Sequence, residues 1–429
     1  MIRFLYNLLF PLALLVFLPG YVLKMLRRGN YRDKFGQRLG FYDAATRARL
    51  ASGATWLHAV SVGEVMIALK LAAEMKKQEP ALRIALTTTT TTGHALASKQ
   101  APSWIEVLYT PLDFWPIMRR AFAVIRPSRV VLVEAEVWPN LTAIAHQRKI
   151  PLALVNARLS PRSEGRFRKF NFFIRPYFRR LDLICVQELE DVVRWKALGV
   201  RADRIHPVGS IKYDPENVSS QSPVPRTVLQ TLGVNSNRPI LLAGSTHPGE
   251  EDILGRVFLE LRREFPELFL IIAPRHVERV PEIMTRLRAL GLESMRRSVT
   301  ASGTATDCLL LDTTGELRDW YSVATIVFIG KSMSARGGQN PVEAIVADRP
   351  VVFGPHMENF ANLSRALVAA DGALQPNDET GLTKALGELL RDGARRDELS
   401  RQARTVLDSH RGATKRTAQL LATLARPAP

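Results

Sequence analysis

The chain is poor in cysteine and has no clear pattern of metal ligands. Cys185 and Cys308 are the two cysteines among 429 residues, and each lies in an apolar run typical of a strand. Neither has a cysteine or histidine partner at close spacing, and the eight histidines lack the paired helical spacing of metal ligands. We therefore expect buried thiols in a reducing compartment, no disulfide and no metal site.

Acidic residues are scarce relative to basic residues. The sequence has 41 Asp and Glu against 59 Lys and Arg, which gives a formal net charge of +18. This excess predicts an anionic partner, either a nucleic acid, an acidic membrane surface or a phosphorylated substrate. Because 46% of the residues are apolar, the chain can bury large cores, and its length favours two or three domains of about 150 residues each.

Two common nucleotide-binding motifs are missing. No G-x-G-x-x-G motif follows the first predicted strand, which argues against a dinucleotide-dependent oxidoreductase. Gly330-Lys331-Ser332 resembles the end of a phosphate loop, but Thr325 stands where the earlier glycine is required. The sequence therefore excludes a P-loop NTPase.

A long hydrophobic run extends from Phe4 to Leu23, interrupted by Asn7, Pro11 and Pro19. Its length is about what a helix needs to cross the bilayer core, so it predicts a membrane anchor helix in residues 1–30. The basic residues that follow predict that the rest of the chain stays on the cytoplasmic side and that this flank contacts anionic lipids. These residues are Lys24, Arg27, Arg28, Arg32, Lys34 and Arg38. The prolines leave open a segment that lies in the membrane interface instead of spanning it.

Strand-like and helix-like segments alternate through the rest of the chain, with a linker rich in Pro, Ser and Asn at 213–225. The alternation predicts an α/β fold with two doubly wound, Rossmann-like domains, at 31–212 and 213–429, which we expect to face a central cleft. The predicted strands are 55–60, 83–89, 105–109, 129–133, 151–155 and 181–187 in the first domain, and 240–243, 268–273, 308–311, 326–329 and 350–353 in the second.

Glu64 is the main catalytic candidate in the first domain. The segment from Trp56 to Glu64 (WLHAVSVGE) passes from an apolar strand through a turn of small residues to an acid at the start of a helix. Open α/β folds bind their ligands at this edge of the sheet, which makes Glu64 a candidate base. The structural alternative is that Glu64 only complements the positive end of the helix dipole.

Four turns in the second domain follow strand ends and lead into helices. They are Gly244–His247, Pro274–His276, Thr313–Glu316 and Gly337–Glu343. Backbone N–H groups at such turns can hold an anion, and Arg275 suits a bidentate contact with a phosphate. Glu343 accepts hydrogen bonds from a ribose diol or simply caps its helix. Together the four turns predict a nucleotide site.

A dense basic run interleaved with phenylalanines occupies residues 158–180. It contains Arg158, Arg162, Arg166, Arg168, Lys169, Arg175, Arg179 and Arg180, with Phe167, Phe170, Phe172, Phe173 and Phe178 between them. Such a run stacks on nucleic-acid bases, contacts a phosphorylated glycolipid, or forms a solvated helix face with its phenylalanines in the core. The hydrophobic run at the amino terminus favours the glycolipid.

Eight motifs of the chain resemble, in order and at compatible spacing, the 3-deoxy-D-manno-octulosonic acid (Kdo) transferase family of lipopolysaccharide synthesis. They are WLHAVSVGE at 56–64, VEAEVWPN at 133–140, NARLSPRS at 156–163, GSTHPGEE at 244–251, PRH at 274–276, TGEL at 314–317, GGQNPVEA at 337–344 and GPHMENF at 354–360. The resemblance implies the GT-B glycosyltransferase fold. It also implies transfer of Kdo from CMP-Kdo to the lipid A precursor lipid IVA at the cytoplasmic face of the inner membrane.

The resemblance also implies roles for particular residues. Glu64 matches the proton acceptor of the family, and Glu134 and Lys212 match its transition-state stabilisers. Its CMP contacts match Pro274, Arg275, Thr314, Gly315, Glu316, Asn340, Pro341, Val342 and Glu343. The family often has a second glycine where Lys331 stands, so this chain adds a positive charge beside the nucleotide region.

The implied chemistry suits these residues. A carboxylate removes the proton of a weakly acidic acceptor hydroxyl, and a single base without a nucleophilic partner suits inversion at the anomeric carbon. The departing CMP develops negative charge, which can be stabilised by Lys212, Arg275 and helix amino termini. We therefore expect no metal and no other cofactor in the transfer. Glu134 either stabilises an oxocarbenium-like centre or pairs with a nearby arginine.

Two other functions remain open from the sequence. A membrane-associated GT-B enzyme that uses a UDP-sugar would share the fold, and a membrane-tethered nucleic-acid-binding protein would share the charge. The ordered motifs favour the Kdo transferase. Its expected partners are CMP-Kdo, a phosphorylated lipid A precursor and anionic inner-membrane lipids, with no nucleic acid.

Overall fold

The computed structural model describes residues 2–28, 34–135, 137–159, 164–165, 167, 169–215, 222–235, 237–300 and 306–424. The chain forms two compact units. Unit 1 comprises Met1–Asp214 together with His410–Pro429, and unit 2 comprises Pro215–Ser409. Much of the predicted linker at 213–225 lies outside the described residues, as do residues 29–33.

Each unit is built around a parallel sheet. The strands are β1 (Ala54–Ala59), β2 (Ile84–Thr88), β3 (Ile105–Tyr109), β4 (Pro127–Val133), β5 (Leu152–Ala157), β6 (Leu183–Val186), β7 (Ile205–Pro207), β8 (Ile240–Thr246), β9 (Phe269–Pro274), β10 (Ser294–Arg296), β11 (Cys308–Leu310), β12 (Ile326–Ile329) and β13 (Val351–Phe353). Among the described residues, the sheet of unit 1 has the order β3-β2-β1-β4-β5-β6-β7, and that of unit 2 has the order β10-β11-β9-β8-β12-β13. The neighbouring strands of both sheets pair in parallel.

Helices connect the strands. The described α-helices are α1 (Ile2–Arg28), α2 (Phe35–Arg38), α3 (Ala44–Arg49), α4 (Val62–Gln78), α5 (Thr91–Gln100), α6 (Trp115–Ile125), α7 (Pro139–Gln147), α8 (Asn171–Phe178), α9 (Leu189–Ala197), α10 (Val224–Thr231), α11 (Glu250–Arg262), α12 (Val280–Ala289), α13 (Leu317–Trp320), α14 (Val342–Val346), α15 (Ala361–Ala369), α16 (Glu379–Arg391), α17 (Gly393–Asp408) and α18 (Ala413–Thr423). Parallel strands require such crossovers, and helices on both faces explain why β1, β5 and β9 are buried along their whole length.

Helix α4 illustrates how the sequence produces these elements. Its apolar residues at helical spacing, among them Val65, Ala68, Ala72 and Met75, are fully buried against the sheet of unit 1. Ser61 is the N-cap of the helix, and its side chain accepts a hydrogen bond from the Glu64 N–H. The start of α4, and with it the position of Glu64, is therefore set by local sequence.

The prediction of an N-terminal membrane anchor helix is wrong. The run forms helix α1, but within the described part of the chain no helix is both long enough and apolar enough to cross a membrane. Polar residues of α1 instead contact α7 within unit 1, since Arg3 Nε and Asn7 Nδ2 donate to Asn140 Oδ1 at 3.1 and 2.9 Å. Phe10 stacks on Phe114 with 5.3 Å between the ring centroids. Counting apolar residues did not reveal that this helix packs on the protein through a partly polar face.

The carboxyl-terminal segment His410–Pro429 belongs to unit 1, whereas the predicted second domain included all of 213–429. Asp214 accepts hydrogen bonds from the N–H groups of Gly412 and Thr414 at 2.7 and 2.8 Å. Arg129 Nη1 donates to the carbonyl of Leu421 at 2.8 Å, and Leu421 is fully buried among the apolar side chains of α4 and the sheet. Packing of α18 on α4 explains this arrangement, and the sequence carries no motif for it.

Candidate active site

The two predicted catalytic carboxylates lie where the strand order of unit 1 reverses. The chain runs outward in one direction from β1 to β3 and in the other from β4 to β7, so the reversal falls between β1 and β4. Glu64 follows β1, and Glu134 follows β4 directly. Ligands of open α/β sheets bind at the carboxyl ends of the strands at such a point, so both carboxylates occupy the expected position for a site.

Glu64 lies in the first turn of α4 and is 8% exposed. Its Oε2 accepts a hydrogen bond from the Val60 N–H at 2.8 Å, and its Oε1 accepts one from the Ser61 hydroxyl at 2.9 Å. This arrangement resembles a capping box, so the structural role that the sequence left open does exist. The same contacts fix the carboxylate at the edge of the sheet, where a base would be needed.

The strands beside Glu64 carry a layer of polar side chains. His58 Nδ1 lies 3.0 Å from Thr87 Oγ1 and 3.4 Å from Thr110 Oγ1. Burial lowers the pKa of His58 to about 4, so its imidazole is neutral at physiological pH. Next to this layer, the Arg38 guanidinium donates to the Thr89 carbonyl at 2.8 Å. Thr87 and Thr88 end β2 and Thr90 caps α5, so threonines line the same edge of the sheet as Glu64.

Glu134, Arg158 and Lys212 form a charged cluster on unit 1. Burial lowers the pKa of Lys212, the charge of Glu134 raises it, and the charge of Arg158 lowers it further. The same two charges act on the Tyr213 hydroxyl, whose pKa is raised to about 12 mainly by burial. The structure thus brings together the two predicted stabilisers, and it identifies Arg158 as the arginine near them. Glu136, the second acid of this motif, lies outside the described residues.

The backbone at Glu134 is in the left-handed region. Its φ angle is 63°, and its N–H donates to the Val155 carbonyl at 3.0 Å. This conformation is unfavourable for a residue with a Cβ and is common where a side chain must be aimed at a ligand. The strain supports a role for Glu134 beyond packing.

Asn156 positions the loop that carries Lys212, a role that the sequence did not predict. Its Oδ1 accepts hydrogen bonds from the Ile211 N–H at 3.0 Å and from the Ser210 hydroxyl at 3.3 Å. From the other side, the Ser210 N–H donates to His410 Nδ1 at 3.2 Å. Asn156 itself has a φ of 50°, which asparagine tolerates better than most residues. An asparagine directly after the predicted strand 151–155 was the available signal.

The predicted nucleotide turns of unit 2 share one edge of its sheet. They lie at or after the ends of β8, β9, β11 and β12, and these four strands are neighbours in the order β11-β9-β8-β12. The predicted turn at Gly244–His247 is strand as far as Thr246, since β8 extends beyond the predicted strand 240–243. Because the strands are parallel, their carboxyl ends meet at the same edge. The strand order of this sheet reverses between β8 and β12, so His247 and Lys331 lie at its reversal point.

The residues matched to CMP contacts have distinct surroundings. Pro274 ends β9 and is buried, whereas Arg275 is exposed, and its N–H donates to the Thr246 carbonyl at 3.0 Å. Thr314 and Gly315 form an exposed turn, in which Gly315 has a φ of 89°. Only glycine adopts that conformation at little cost.

The remaining predicted CMP contacts lie after β11 and β12. Glu316 lies 3.4 Å from the Arg297 guanidinium. Asn340 Oδ1 accepts a hydrogen bond from the Val342 N–H at 3.1 Å, just before the short helix α14. Glu343 is exposed in the first turn of that helix. This position is compatible with both predicted roles of Glu343, which are a ribose ligand and an acid at the start of a helix.

Glu250 organises the turn after β12 and was missed as a structural residue. It is fully buried at the start of α11. Its carboxylate accepts hydrogen bonds from the N–H groups of Lys331, Ser332 and Met333 at 2.7, 2.8 and 3.0 Å, and from the His247 N–H at 2.9 Å. One carboxylate therefore ties the turn after β8 to the turn after β12.

The phenylalanines of the basic and aromatic run at 158–180 differ in their exposure to solvent. Phe178 is buried and contacts Phe167, whereas Phe170, Phe172 and Phe173 are 51%, 71% and 49% exposed. Arg162, Arg166 and Arg168 lie outside the described residues. The run therefore combines a core contribution with an exposed apolar surface.

An apolar groove lies beside this surface, within unit 1. Its volume is about 560 Å³, and its walls come from α1, α7 and α8, with Leu5, Leu9, Phe170, Phe173 and Ile174 among the lining side chains. In the described part of the chain, no group of three or more Asp, Glu, His or Cys side chains is placed to hold a metal ion.

Two doubly wound parallel sheets, each with candidate ligand residues at its reversal point, define a GT-B-like α/β protein. UDP-GlcNAc 2-epimerase from Neisseria meningitidis, solved with UDP-GlcNAc, superimposes with a TM-score of 0.58 at 13% identity, over 86% of this chain and 99% of the epimerase. This likeness concerns the fold alone, and it confirms the GT-B-like part of the predicted fold class.

Sequence comparisons identify the family. The family model described as 3-deoxy-D-manno-octulosonic-acid transferase (kdotransferase) matches residues 33–215. The 3-deoxy-D-manno-octulosonic acid transferase of Haemophilus influenzae is 32% identical over 98% of this chain and 98% of its own length, and that of Bordetella pertussis is 35% identical over 92% and 93%. The chain belongs to the 3-deoxy-D-manno-octulosonic acid transferase family and is a glycosyltransferase. The predicted family and enzyme class are confirmed.

Proposed function

We propose that this chain transfers Kdo from CMP-Kdo to a phosphorylated lipid A precursor such as lipid IVA, with inversion and with Glu64 as the general base. The observation that carries the proposal is the position of Glu64, an acid fixed at the carboxyl end of β1 beside the reversal point of the sheet. Both carboxylate oxygens of Glu64 accept hydrogen bonds, which is consistent with the deprotonated form that a general base requires. General-base assistance of this kind contributes about 10²–10⁴-fold in rate.

The charged cluster supports the rest of the mechanism. As the acceptor oxygen bonds to the anomeric carbon, the bond to CMP breaks and the sugar develops positive charge. Glu134, held in a left-handed conformation, is a carboxylate suited to stabilise that charge, and Lys212 is a cation whose position Asn156 fixes through Ile211. Arg275 and the backbone N–H groups of the turns in unit 2 supply a binding site for the CMP phosphate. Transfer without a metal or other cofactor remains part of this proposal.

A lipid acceptor is supported by the surface of unit 1. The apolar groove has the lining and size suited to a hydrocarbon chain, and exposed phenylalanines continue from it. Basic residues stand close by, among them Arg180, which lies over the Tyr177 ring, and burial lowers its pKa. An apolar groove with adjacent cations matches an acylated, phosphorylated molecule.

The test is a product assay by mass spectrometry. The protein is incubated with CMP-Kdo and the tetraacylated, bisphosphorylated lipid A precursor, and a parallel reaction contains UDP-GlcNAc as the donor. We expect release of CMP and a lipid heavier by one or more Kdo residues, with no product from UDP-GlcNAc. A fully deacylated acceptor should require a much higher concentration. Transfer from UDP-GlcNAc alone, or equal use of the deacylated acceptor, would contradict the proposed donor or the proposed acceptor, respectively.

A further inference from the structure

Lys331 occupies a backbone conformation that a lysine does not favour. It follows β12 at the reversal point of the sheet in unit 2, and its φ angle is 58°. Glycine adopts this left-handed conformation without strain, whereas a residue with a Cβ is less stable there. The backbone conformation therefore does not explain why a lysine stands at this position.

The backbone of Lys331 is fixed from both sides. Its N–H donates to Glu250 at 2.7 Å, and its carbonyl accepts a hydrogen bond from the Gly338 N–H at 2.8 Å. The next residue, Gln339, donates its N–H to the Gly330 carbonyl at 3.1 Å. These bonds join the turn of Lys331 to the segment that leads into the predicted CMP contacts at 340–343. They also determine the direction in which the Lys331 side chain leaves the backbone.

The side chain points toward this same segment and toward His247. Lys331 Cε lies 3.3 Å from the position that a Cβ of residue 337 would occupy. Burial lowers the pKa of His247, and the next largest contribution is the charge of Lys331, followed by those of His276, Arg279 and Arg275. Lys331 is therefore part of a group of cations at the ends of β8, β9 and β12.

Lys331 and Arg275 are the members of this group available for a ligand. Arg279 is paired with Glu251 at 2.9 Å, and His276 lies 3.5 Å from Glu278. Within the described residues, the Lys331 ammonium and the Arg275 guanidinium have no hydrogen-bond or ion-pair partner of their own. The charges of Lys331 and Arg275 both lower the pKa of His247, so these two cations lie near one imidazole, and a bound anion would reduce their mutual repulsion.

We propose that the Lys331 ammonium binds the phosphate of the cytidine monophosphate group of the donor, as an additional phosphate ligand beside Arg275. This inference rests on the proposed donor. It goes beyond it by naming a residue that stands outside the family pattern of CMP contacts, at a position where the family often has glycine. The lysine offers a charged donor whose location is set by its backbone, and a charge-assisted hydrogen bond to phosphate is stronger than a neutral one.

The test compares binding of CMP with binding of cytidine by isothermal titration calorimetry. The full chain is measured as wild type, Lys331→Gly and Lys331→Asn, because both replacements are neutral and tolerate the left-handed conformation. Lys384→Ala, on α16, removes one positive charge elsewhere on unit 2 and serves as the matched control. We expect both Lys331 variants to bind CMP about tenfold more weakly and cytidine unchanged. The melting temperature of Lys331→Gly should equal or exceed that of the wild type.

The outcomes separate this inference from the proposed function. If the wild type binds CMP and both variants bind it equally well, the phosphate role of Lys331 is overturned and the donor stands. An equal loss of CMP and cytidine binding would show that Lys331 only shapes the turn, which also overturns the inference. If the wild type fails to bind CMP, both the proposed donor and the role of Lys331 are overturned.

Discussion

Lys212 combines partial burial with two charged neighbours of opposite sign. Burial and the charge of Arg158 lower its pKa, whereas the charge of Glu134 raises it. The proposed mechanism needs Lys212 in its protonated form, so its titration should limit activity on the alkaline side. Removal of either neighbouring charge should therefore shift the pKa of Lys212, and the two shifts should have opposite directions.

We predict opposite shifts of the alkaline limb of the pH–rate profile in two variants. Glu134→Gln removes the charge that raises the Lys212 pKa, so the limb should move to lower pH. Arg158→Gln removes a charge that lowers this pKa, so the limb should move to higher pH. The profile of kcat/KM with CMP-Kdo tests both, and the position of the limb is separable from the loss in maximal rate that Glu134→Gln also causes. A limb that stays in place in both variants would show that Lys212 is not the group that titrates.

The sequence did not predict which residues have unusual backbone conformations. Glu134, Asn156 and Lys331 all have positive φ angles, and each lies at a candidate ligand site. Glutamate and lysine rarely adopt a positive φ, so Glu134 and Lys331 do not signal this conformation by their type, whereas asparagine tolerates it better. The identity of Glu64 and Glu134 as candidates was available from the motifs, but the strain at Glu134 and the network around Asn156 required coordinates.

Among the elements, strands formed by a run of apolar residues were predicted well, whereas two short edge strands with few apolar residues were missed. The predicted strand 105–109 coincides with β3, and 326–329 coincides with β12. The strands β7 and β10 were not predicted, and each has three residues and lies at the edge of its sheet. An edge strand needs only partial burial and few apolar residues, so its sequence gives little signal.

The segment 208–214, which follows β7, depends on an element near the other end of the chain. His410 accepts the Ser210 N–H, and Asp214 accepts two N–H groups at the start of α18. Burial lowers the pKa of His410 to about 4, with Asp214 acting to raise it and Arg416 to lower it. A protonated Nδ1 cannot accept a hydrogen bond, so protonation would release the loop that carries Lys212.

We predict that unit 1 loses stability as the pH falls from about 6.5 to about 4. The folded-state pKa of His410, about 4, is below the value of about 6.5 for an unperturbed histidine, so the unfolded chain binds more protons in this window. The contribution is fully present above pH 6.5 and is lost as the pH falls. His58, with a pKa of about 4, contributes in the same direction. Each histidine accounts for up to about 3 kcal/mol of the unfolding free energy.

Urea titrations at pH 7 and pH 4.5 measure this effect. Five of the six tryptophans belong to unit 1, so tryptophan fluorescence reports mainly on its unfolding. The variant His410→Asn keeps an acceptor oxygen near the Ser210 N–H but does not titrate. Its loss of stability between the two pH values should be clearly smaller than that of the wild type. The same loss in both proteins would show that His410 does not couple proton binding to folding.

At the scale of the whole molecule, alternation of strands and helices predicted the two doubly wound units and the motifs predicted the family. Two features could not be obtained in this way. The hydrophobic run at the amino terminus met the length criterion for an anchor, yet Arg3 and Asn7 place part of helix α1 against Asn140 of unit 1. The return of α18 to unit 1 depends on long-range contacts, such as that of Arg129 with Leu421, which local sequence does not encode.

The central claim is that a glycosyltransferase of the Kdo transferase family uses Glu64 as its base. Glu64 also closes the start of α4, so a variant must separate the two roles. In Glu64→Gln, the amide oxygen can accept the Val60 N–H and the amide nitrogen can donate to the Ser61 hydroxyl, which preserves the cap. In Ser61→Ala, the cap is lost at a cost of about 1 kcal/mol, but the carboxylate remains.

The most direct measurement is the rate of Kdo transfer from CMP-Kdo at saturating substrates, for the wild type, Glu64→Gln and Ser61→Ala, with CMP affinity and melting temperature measured alongside. We predict that Glu64→Gln lowers kcat by about 10²–10⁴-fold while CMP affinity and melting temperature stay near wild type. Ser61→Ala should lower the melting temperature and keep kcat within about tenfold of wild type. Full activity of Glu64→Gln, or a larger loss in Ser61→Ala than in Glu64→Gln, would contradict the account.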